Sequence, residues 1–291
     1  MLFDKFIAEE VMKYKGISYP VKTGAVKRML TRKASVFDLH PNPDDEFCMP
    51  EIGPNYQIIS SYRQRFLDAI KNSDYYYGDD EPIIVERMHP EGYMILNGHH
   101  RWAAAMMIGQ SEIPVQIVNL THEADIKAML KNSQHDKRVT FDLDEVVFCR
   151  EGDEICEEPL PFPYSRYFKK RLRLGIPALF RFFNKQGYDI WVYTSQYSSF
   201  DHLHDYFLKY DTKVSGIVTG TARKIQGKDQ KRKAIEAMIA DHYQYTVHID
   251  NEMLLRTSKE TKAFDEYALS GSYADWSREV MEVISSLEKT E

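Results

Sequence analysis

The run Arg138-Val-Thr-Phe-Asp-Leu-Asp-Glu-Val-Val-Phe148 constrains this chain most, because an apolar strand leads straight into two carboxylates two residues apart. In an extended segment the side chains at i and i+2 point the same way, so Asp142 and Asp144 are expected side by side. Two carboxylates held that close repel each other unless a metal or a shared proton offsets them. Hard Mg²⁺ commonly takes one or two carboxylates together with a substrate phosphate, so phosphoryl chemistry is the expectation. A lone Asp-x-Asp would read the same as an acidic turn after an ordinary strand, and the weight therefore falls on the strands and charged residues C-terminal to it.

Farther along, Tyr188-Asp-Ile-Trp-Val-Tyr-Thr-Ser195 is a second apolar strand that ends in two hydroxyls. Ligands of open α/β sheets bind in the crevice at the carboxyl ends of the strands, where such hydroxyls are suitable phosphate donors. A lysine-rich segment, Arg223 to Lys233, leads into a helix, and a third strand ends in an acid at Tyr245-Thr-Val-His-Ile-Asp-Asn-Glu252. This order of Asp-x-Asp, Thr/Ser, Lys and Asp resembles the four motifs of the haloacid dehalogenase-like (HAD) phosphohydrolase superfamily, over residues 138–270. The resemblance implies that Asp142 is the nucleophile that forms an aspartyl-phosphate and that Asp144 is the general acid/base. It implies Thr194 as the phosphate-binding hydroxyl, and Asp142, Asp144 and Asp250 as the Mg²⁺ set. Lys228, in a Gly-Lys-Asp turn, is taken as the motif lysine, with Lys224 and Lys231 open as alternatives. Asn251 stands where the family commonly has a second acid, and Glu252 is the close substitute. The intervals from Asp142 to Thr194 and from there to Lys228 leave little room for an inserted cap, so a capless, Rossmann-like domain with a mostly parallel sheet is expected.

Upstream, Glu81 to Glu86 and Tyr93 to Leu96 read as strands around the turn His89-Pro-Glu-Gly92, after an amphipathic helix over Tyr62 to Lys71. Asn97-Gly-His-His-Arg101 then leads into a helix over Trp102 to Gly109, and Ile113 to Val118 is another strand. A glycine between a strand and a helix start lets backbone N–H groups approach an anion, and an Arg one turn in can clamp it bidentately. The two histidines read as donors or acid/base groups near neutral pH. The run from Pro-Ile-Ile-Val through Asn-Gly-His-His-Arg-Trp-Ala-Ala-Ala to Ile-Pro-Val resembles the ParB/sulfiredoxin fold family, over residues 35–120. Members bind nucleotide phosphates at this turn and include a CTP-binding clamp, a sulfinic acid reductase and a free-serine kinase. The resemblance implies an α+β domain that binds ATP or another nucleoside triphosphate through Asn97, Gly98, His99, His100 and Arg101.

The expected organisation is therefore α/β throughout. It comprises a helical extension (1–34), a ParB/sulfiredoxin-like domain (35–120), a connecting helix (121–137) and a HAD-like domain (138–291). The 291 residues are 43% hydrophobic and 28% charged, enough for packed cores. No apolar run approaches the ~20 residues of a membrane span, and the acidic start lacks the basic region of a secretory signal, so a cytoplasmic enzyme without membrane partners is expected. A net charge of −6 argues against bulk duplex binding, although basic clusters lie at Arg166 to Arg173 and Arg223 to Lys233. The three cysteines, Cys48, Cys149 and Cys156, lack metal spacing and read as reduced thiols. The leading expectation is a Mg²⁺-dependent phosphomonoester hydrolase fused to a nucleotide-binding domain. Its substrate would be a phosphorylated small molecule, a nucleotide or a nucleic-acid end. The alternatives are a bifunctional kinase-phosphatase, and a nucleotide-gated DNA- or protein-binding switch on a degenerate HAD scaffold.

Overall fold

The computed structural model describes residues 2–72, 81–150, 152–153, 155–221, 229–259, 264–269 and 274–289. Among these residues the chain divides into two compact units, one up to Leu120 and one from Thr121 onward.

The first unit runs α1 (Leu2–Tyr14), β1 (Tyr19–Pro20), α2 (Ala25–Leu30), β2 (Lys33–Ser35), β3 (Leu39–His40), α3 (Tyr56–Lys71), β4 (Ile83–His89), β5 (Tyr93–Asn97), α4 (His99–Met107) and β6 (Glu112–Ile117). Its strands form one mixed sheet in the order β2-β6-β4-β5-β3, with β1 pairing on β4. The stretch expected as a helical extension supplies two of these strands, and Phe3, Phe6 and Ile7 of α1 pack on the same core as Trp102. Trp102 is fully buried and its indole N–H donates to the carbonyl of Val36 at 2.9 Å, which satisfies the one polar atom it takes inside. Helix α3 begins at Tyr56, ahead of the expected Tyr62, because Asn55 caps it: Asn55 Oδ1 accepts the N–H groups of Gln57 and Ile58 at 3.0 and 3.2 Å.

The second unit runs α5 (Glu123–Lys131), β7 (Lys137–Asp142), α6 (Ile176–Lys185), β8 (Tyr188–Thr194), α7 (Phe200–Lys209), β9 (Gly216–Thr219), α8 (Asp229–His242), β10 (Tyr245–Ile249), β11 (Met253–Ser258), β12 (Phe264–Ala268) and α9 (Trp276–Glu288). Its sheet has the order β12-β11-β10-β7-β8-β9. The four strands from β10 to β9 are parallel, and β11 and β12 extend the sheet antiparallel, so the sheet is mixed where a mostly parallel one was expected. Strand β7 is central and buried along Arg138 to Phe141, and β8 is buried at nearly every position, as strands covered on both faces are. Gly216 opens β9 where the ring of Trp191 lies flush against it: a Cβ there would stand 2.3 Å from the indole. Helix α5, expected as a connector, packs Ile126 and Leu130 with Trp191, Ile239 and Tyr243 inside this unit.

Two local expectations are corrected. The strand stops at Asp142, and Leu143–Val147 form one wide helical turn, so Asp144 does not continue an extended segment beside Asp142. Cys149 and Cys156 are joined in a disulfide, not left as thiols. Both lie against the segment 171–173, Cys149 N–H donating to the Arg171 carbonyl and Cys156 bridging to Arg173, which brings their Cα atoms to 6.2 Å, within disulfide range. Cys48 is a free thiol whose pKa burial pushes up to about 12. No helix among the described residues is long and apolar enough to cross a membrane.

Candidate functional site

In the first unit the chain leaves β5 through Gly98, whose φ of +103° is open to glycine at little cost, and enters α4 at His99, three residues before the expected start at Trp102. A Cβ on Gly98 would lie 3.1 Å from both Arg101 Nη2 and Ile83 Cγ1, so the bare Cα is what lets Arg101 fold back over the turn. Arg101 is nine-tenths buried. Its Nη1 has no hydrogen-bond partner and stands 3.6 Å from Glu81 Oε2. A buried guanidinium nitrogen in that state is a site for an acceptor.

The histidines behave otherwise. His99 Nε2 accepts the backbone N–H of Asn42 at 3.2 Å, its Nδ1 lies 3.5 Å from Asp45 Oδ1, and Phe47 stacks on its ring. His100 Nε2 accepts the N–H of Asn55 at 3.1 Å. Burial holds the His99 pKa down to about 4 and lowers that of His100. Both Nε2 atoms are taken up as acceptors of backbone N–H groups. Their Nε2 atoms pin the loop between residues 42 and 55 to the start of α4, and Asn97 is the exposed last residue of β5.

In the second unit the topology gathers residues far apart in sequence. Phe141 pairs with Ile249 on β10 and with Val192 on β8, and Asp142 pairs with Tyr193. Asp250 thus follows at the level of Asp142 one strand over, and Thr194 stands one step beyond on the other side, with neighbouring strands ~4.8 Å apart. Asp142 Oδ1 accepts the N–H groups of Asp144 and Glu145 at 2.7 and 2.9 Å, which fixes the carboxylate at the head of the turn. Asp144 turns toward β8. Its Oδ2 accepts from Thr194 Oγ1 at 2.7 Å and from Ser195 N and Oγ at 3.3 Å, and its Oδ1 lies 3.3 Å from Lys170 Nζ. Lys170 also reaches Gln196 Oε1 at 3.2 Å. Asp250 Oδ1 accepts the N–H of Asn251, and Asn251 ties the Glu145 carbonyl to Arg173, donating to the first at 3.2 Å and accepting from the second at 2.7 Å.

Among the described residues no three His, Cys, Asp or Glu side chains converge on a metal position, and the carboxylate of Asp144 is committed to hydroxyl, amide and lysine donors. Asp142 and Asp250 remain as a two-carboxylate pair, a donor set that suits Mg²⁺ when a phosphate and waters complete the shell. Lys228 and Lys224 lie outside the described residues, and Lys231 is described only as backbone of α8. The lysine that does reach the carboxylates, Lys170, does not stand out in the sequence. It belongs to the basic cluster Arg166 to Arg173, but its place beside Asp144 depends on the pairing of Phe148 with Leu172.

Residues 46–134 match the model of the ParB N-terminal domain. The chain is 25% identical over 114 residues to an ADP-dependent L-serine kinase of Thermococcus kodakarensis, covering 38% of this chain and 44% of the kinase. It is 30% identical over 94 residues to the nucleoid occlusion protein of Listeria monocytogenes, covering 32% of this chain and 33% of that protein. The chain therefore spans less than half the length of these relatives. A crystal structure of the C-terminally truncated chromosome-partitioning protein ParB from Caulobacter crescentus, complexed to the centromeric parS site, aligns with a TM-score of 0.23 and 21% identity over 36% of this chain and 50% of that one.

Proposed function

We propose that the second unit is a Mg²⁺-dependent phosphomonoesterase that works through an aspartyl-phosphate on Asp142, and that the ParB-like first unit binds a nucleoside triphosphate at the Gly98 to Arg101 turn. The observation that carries the first part is the meeting of Asp142, Asp144, Thr194 and Asp250 at the carboxyl ends of three adjacent parallel strands.

With Oδ1 of Asp142 held by two N–H groups, attack on phosphorus falls to Oδ2. The P–O bond to the leaving alcohol breaks as the bond to Asp142 forms, and Asp144 donates a proton to the leaving oxygen. When a phosphate dianion arrives, Thr194 Oγ1, the Ser195 N–H and Lys170 turn to it and release Asp144 for proton transfer to the leaving oxygen. Water then attacks the acyl phosphate, gives its proton to Asp144, and releases inorganic phosphate. Asp142 and Asp250 would hold Mg²⁺, which offsets phosphate charge when bound.

In the first unit the support is the buried Nη1 of Arg101, which makes no hydrogen bond and has only the Glu81 carboxylate at 3.6 Å, above a glycine turn at a helix start. The similarity to a serine kinase favours a second reading in which this unit also transfers phosphate to a small hydroxyl compound. The test is hydrolysis of p-nitrophenyl phosphate by the full chain with Mg²⁺ present. Turnover that EDTA stops is expected, and a purified chain with no Mg²⁺-dependent turnover of this or any phosphomonoester in a broad panel overturns the phosphomonoesterase reading.

A further inference from the structure

The segment Phe162 to Lys170 shows three aromatic rings to solvent: Phe162 at 77%, Tyr167 at 55% and Tyr164 at 39% exposure. Single apolar side chains at a surface are ordinary, but three rings within six residues are a marked display. Arg166 lies between two of them and Lys169 and Lys170 follow the last, all three cations exposed, and Lys209 Nζ stands 4.5 Å over the ring of Tyr164. No Asp or Glu occurs from Pro159 to Leu174, in a chain whose net charge is −6. The backbone beneath is pinned. The Tyr164 N–H donates to the Pro161 carbonyl at 2.9 Å, Phe168 stacks on His202 at 4.6 Å, and Tyr206 donates to the Lys170 carbonyl at 2.9 Å. The segment ends where Lys170 Nζ meets Asp144.

We propose that this strip binds a single-stranded nucleic acid and delivers its terminal phosphate to Asp142, an inference that rests on the phosphomonoesterase reading for the fate of that phosphate. Exposed rings with cations beside and after them match a strand whose bases stack while its backbone is neutralised. A duplex keeps its bases stacked on one another and has none to offer these rings. A protein partner is a poorer match, since lysine is depleted in the cores of protein interfaces. The continuity from Tyr167 through Lys170 to Asp144 makes the occupant a substrate and not merely a tethered ligand.

The experiment uses the full chain carrying Asp142→Asn, which keeps a bound phosphate from turning over, and labelled oligothymidylates and oligouridylates of about 15 nucleotides. They are made with and without a 5′ or 3′ phosphate and are compared with a duplex and with anionic phosphatidylserine vesicles. Binding is expected for the single strands, tighter with a terminal phosphate, and at least ten-fold weaker for the duplex. Phe162→Ala and Tyr167→Ala, both at exposed positions, are each expected to weaken binding by roughly ten-fold or more. Lys169→Ala should shallow the salt dependence by about 0.7 in log–log slope. In a chain with Asp142 intact, the ring variants are expected to hydrolyse p-nitrophenyl phosphate like their parent. Ring-independent binding, or preference for the vesicles or the duplex, overturns the strip even if p-nitrophenyl phosphate is hydrolysed. Ring-dependent binding by a chain that hydrolyses no phosphomonoester supports the strip and defeats the reading of the site.

Discussion

The two candidate sites begin alike, with a strand that ends in a fixed backbone turn and a helical segment, but they commit their polar side chains in opposite ways. At the Gly98 turn, His99 and His100 both accept backbone N–H groups from a distant loop, and Arg101 keeps a nitrogen with no hydrogen bond, 3.6 Å from the Glu81 carboxylate. At the Asp142 turn the donors converge on a carboxylate: two hydroxyls, an amide and a lysine surround Asp144, at the ends of strands whose neighbours bring Asp142 and Asp250 level. The first arrangement is scaffolding with one cationic clamp. The second is a set of donors gathered on one carboxylate, the arrangement from which the proposed phosphate site is argued. A polar motif at a strand end thus becomes a reactive site only when its side chains are not consumed in holding the fold.

That contrast is sharpened first by removing Asp142. Asp142→Asn is expected to lower phosphomonoester turnover by ~10⁴-fold or more, since it deletes the nucleophile at nearly constant volume, while Arg101→Ala leaves that turnover unchanged. Equal losses in the two variants would erase the distinction between the sites. Next in size, Asp144→Asn should slow kcat by ~10²–10⁴-fold through loss of proton transfer, with a steeper loss for poor leaving groups such as simple alkyl phosphates. A kcat within two-fold of the parent on alkyl phosphates counts against Asp144 as the acid.

Smaller again is the effect on the first unit. Arg101→Ala should weaken nucleoside triphosphate binding by roughly 10- to 150-fold, the loss of a charge-assisted hydrogen bond worth about 1.5–3 kcal/mol. Calorimetry on Asp142→Asn protein reads this without turnover. Gly98→Val is a poor probe of the same point, because its side chain would collide with Arg101 and Ile83 and adopt a strained φ before any ligand arrives.

The smallest effect concerns the histidine scaffold. His99 has a folded pKa of about 4 against about 6.5 when unfolded, so the unfolded chain takes up the proton first. Its contribution to stability is whole above pH 6.5 and is lost as pH falls toward 4, with about 2 kcal/mol gone between pH 7 and pH 5. Urea unfolding of the first unit at the two pH values checks this, and His99→Asn should flatten the difference. An unchanged slope in that variant would mean that another group sets it.

Much of this is legible in the chain alone. Strand β8 announces itself as a nearly continuous apolar run because a strand covered on both faces needs no alternation, while β7 and β10 alternate apolar residues, Val139 and Phe141 or Val247 and Ile249, with polar ones. The residues that end them, Asp142, Thr194 and Asp250, follow from that placement. Local signals are less complete. Apolar spacing alone starts α3 six residues late, past the Asn55 cap, and it starts α4 three residues late although Gly98 marks its boundary. What no local pattern contains is the long-range pairing. His99 reaches Asn42 across 57 positions and His100 reaches Asn55 across 45, so neither appears as scaffolding in sequence. Lys170 arrives beside Asp144, and the two cysteines meet, only because Phe148 pairs with Leu172 and Cys156 with Arg173. The turn at Leu143 replaces the extended geometry from which a side-by-side acid pair is expected.

An aspartyl-phosphate on Asp142 can be caught chemically. The Asp144→Asn chain, slowed in both proton transfers, is mixed with Mg²⁺ and excess p-nitrophenyl phosphate, quenched in acid and mapped by peptide mass. A hydroxylamine-labile phosphoryl group is expected on the peptide bearing Asp142, absent in the Asp142→Asn/Asp144→Asn double variant. Phosphate on any other side chain, or the same adduct persisting in the double variant, would contradict the covalent mechanism.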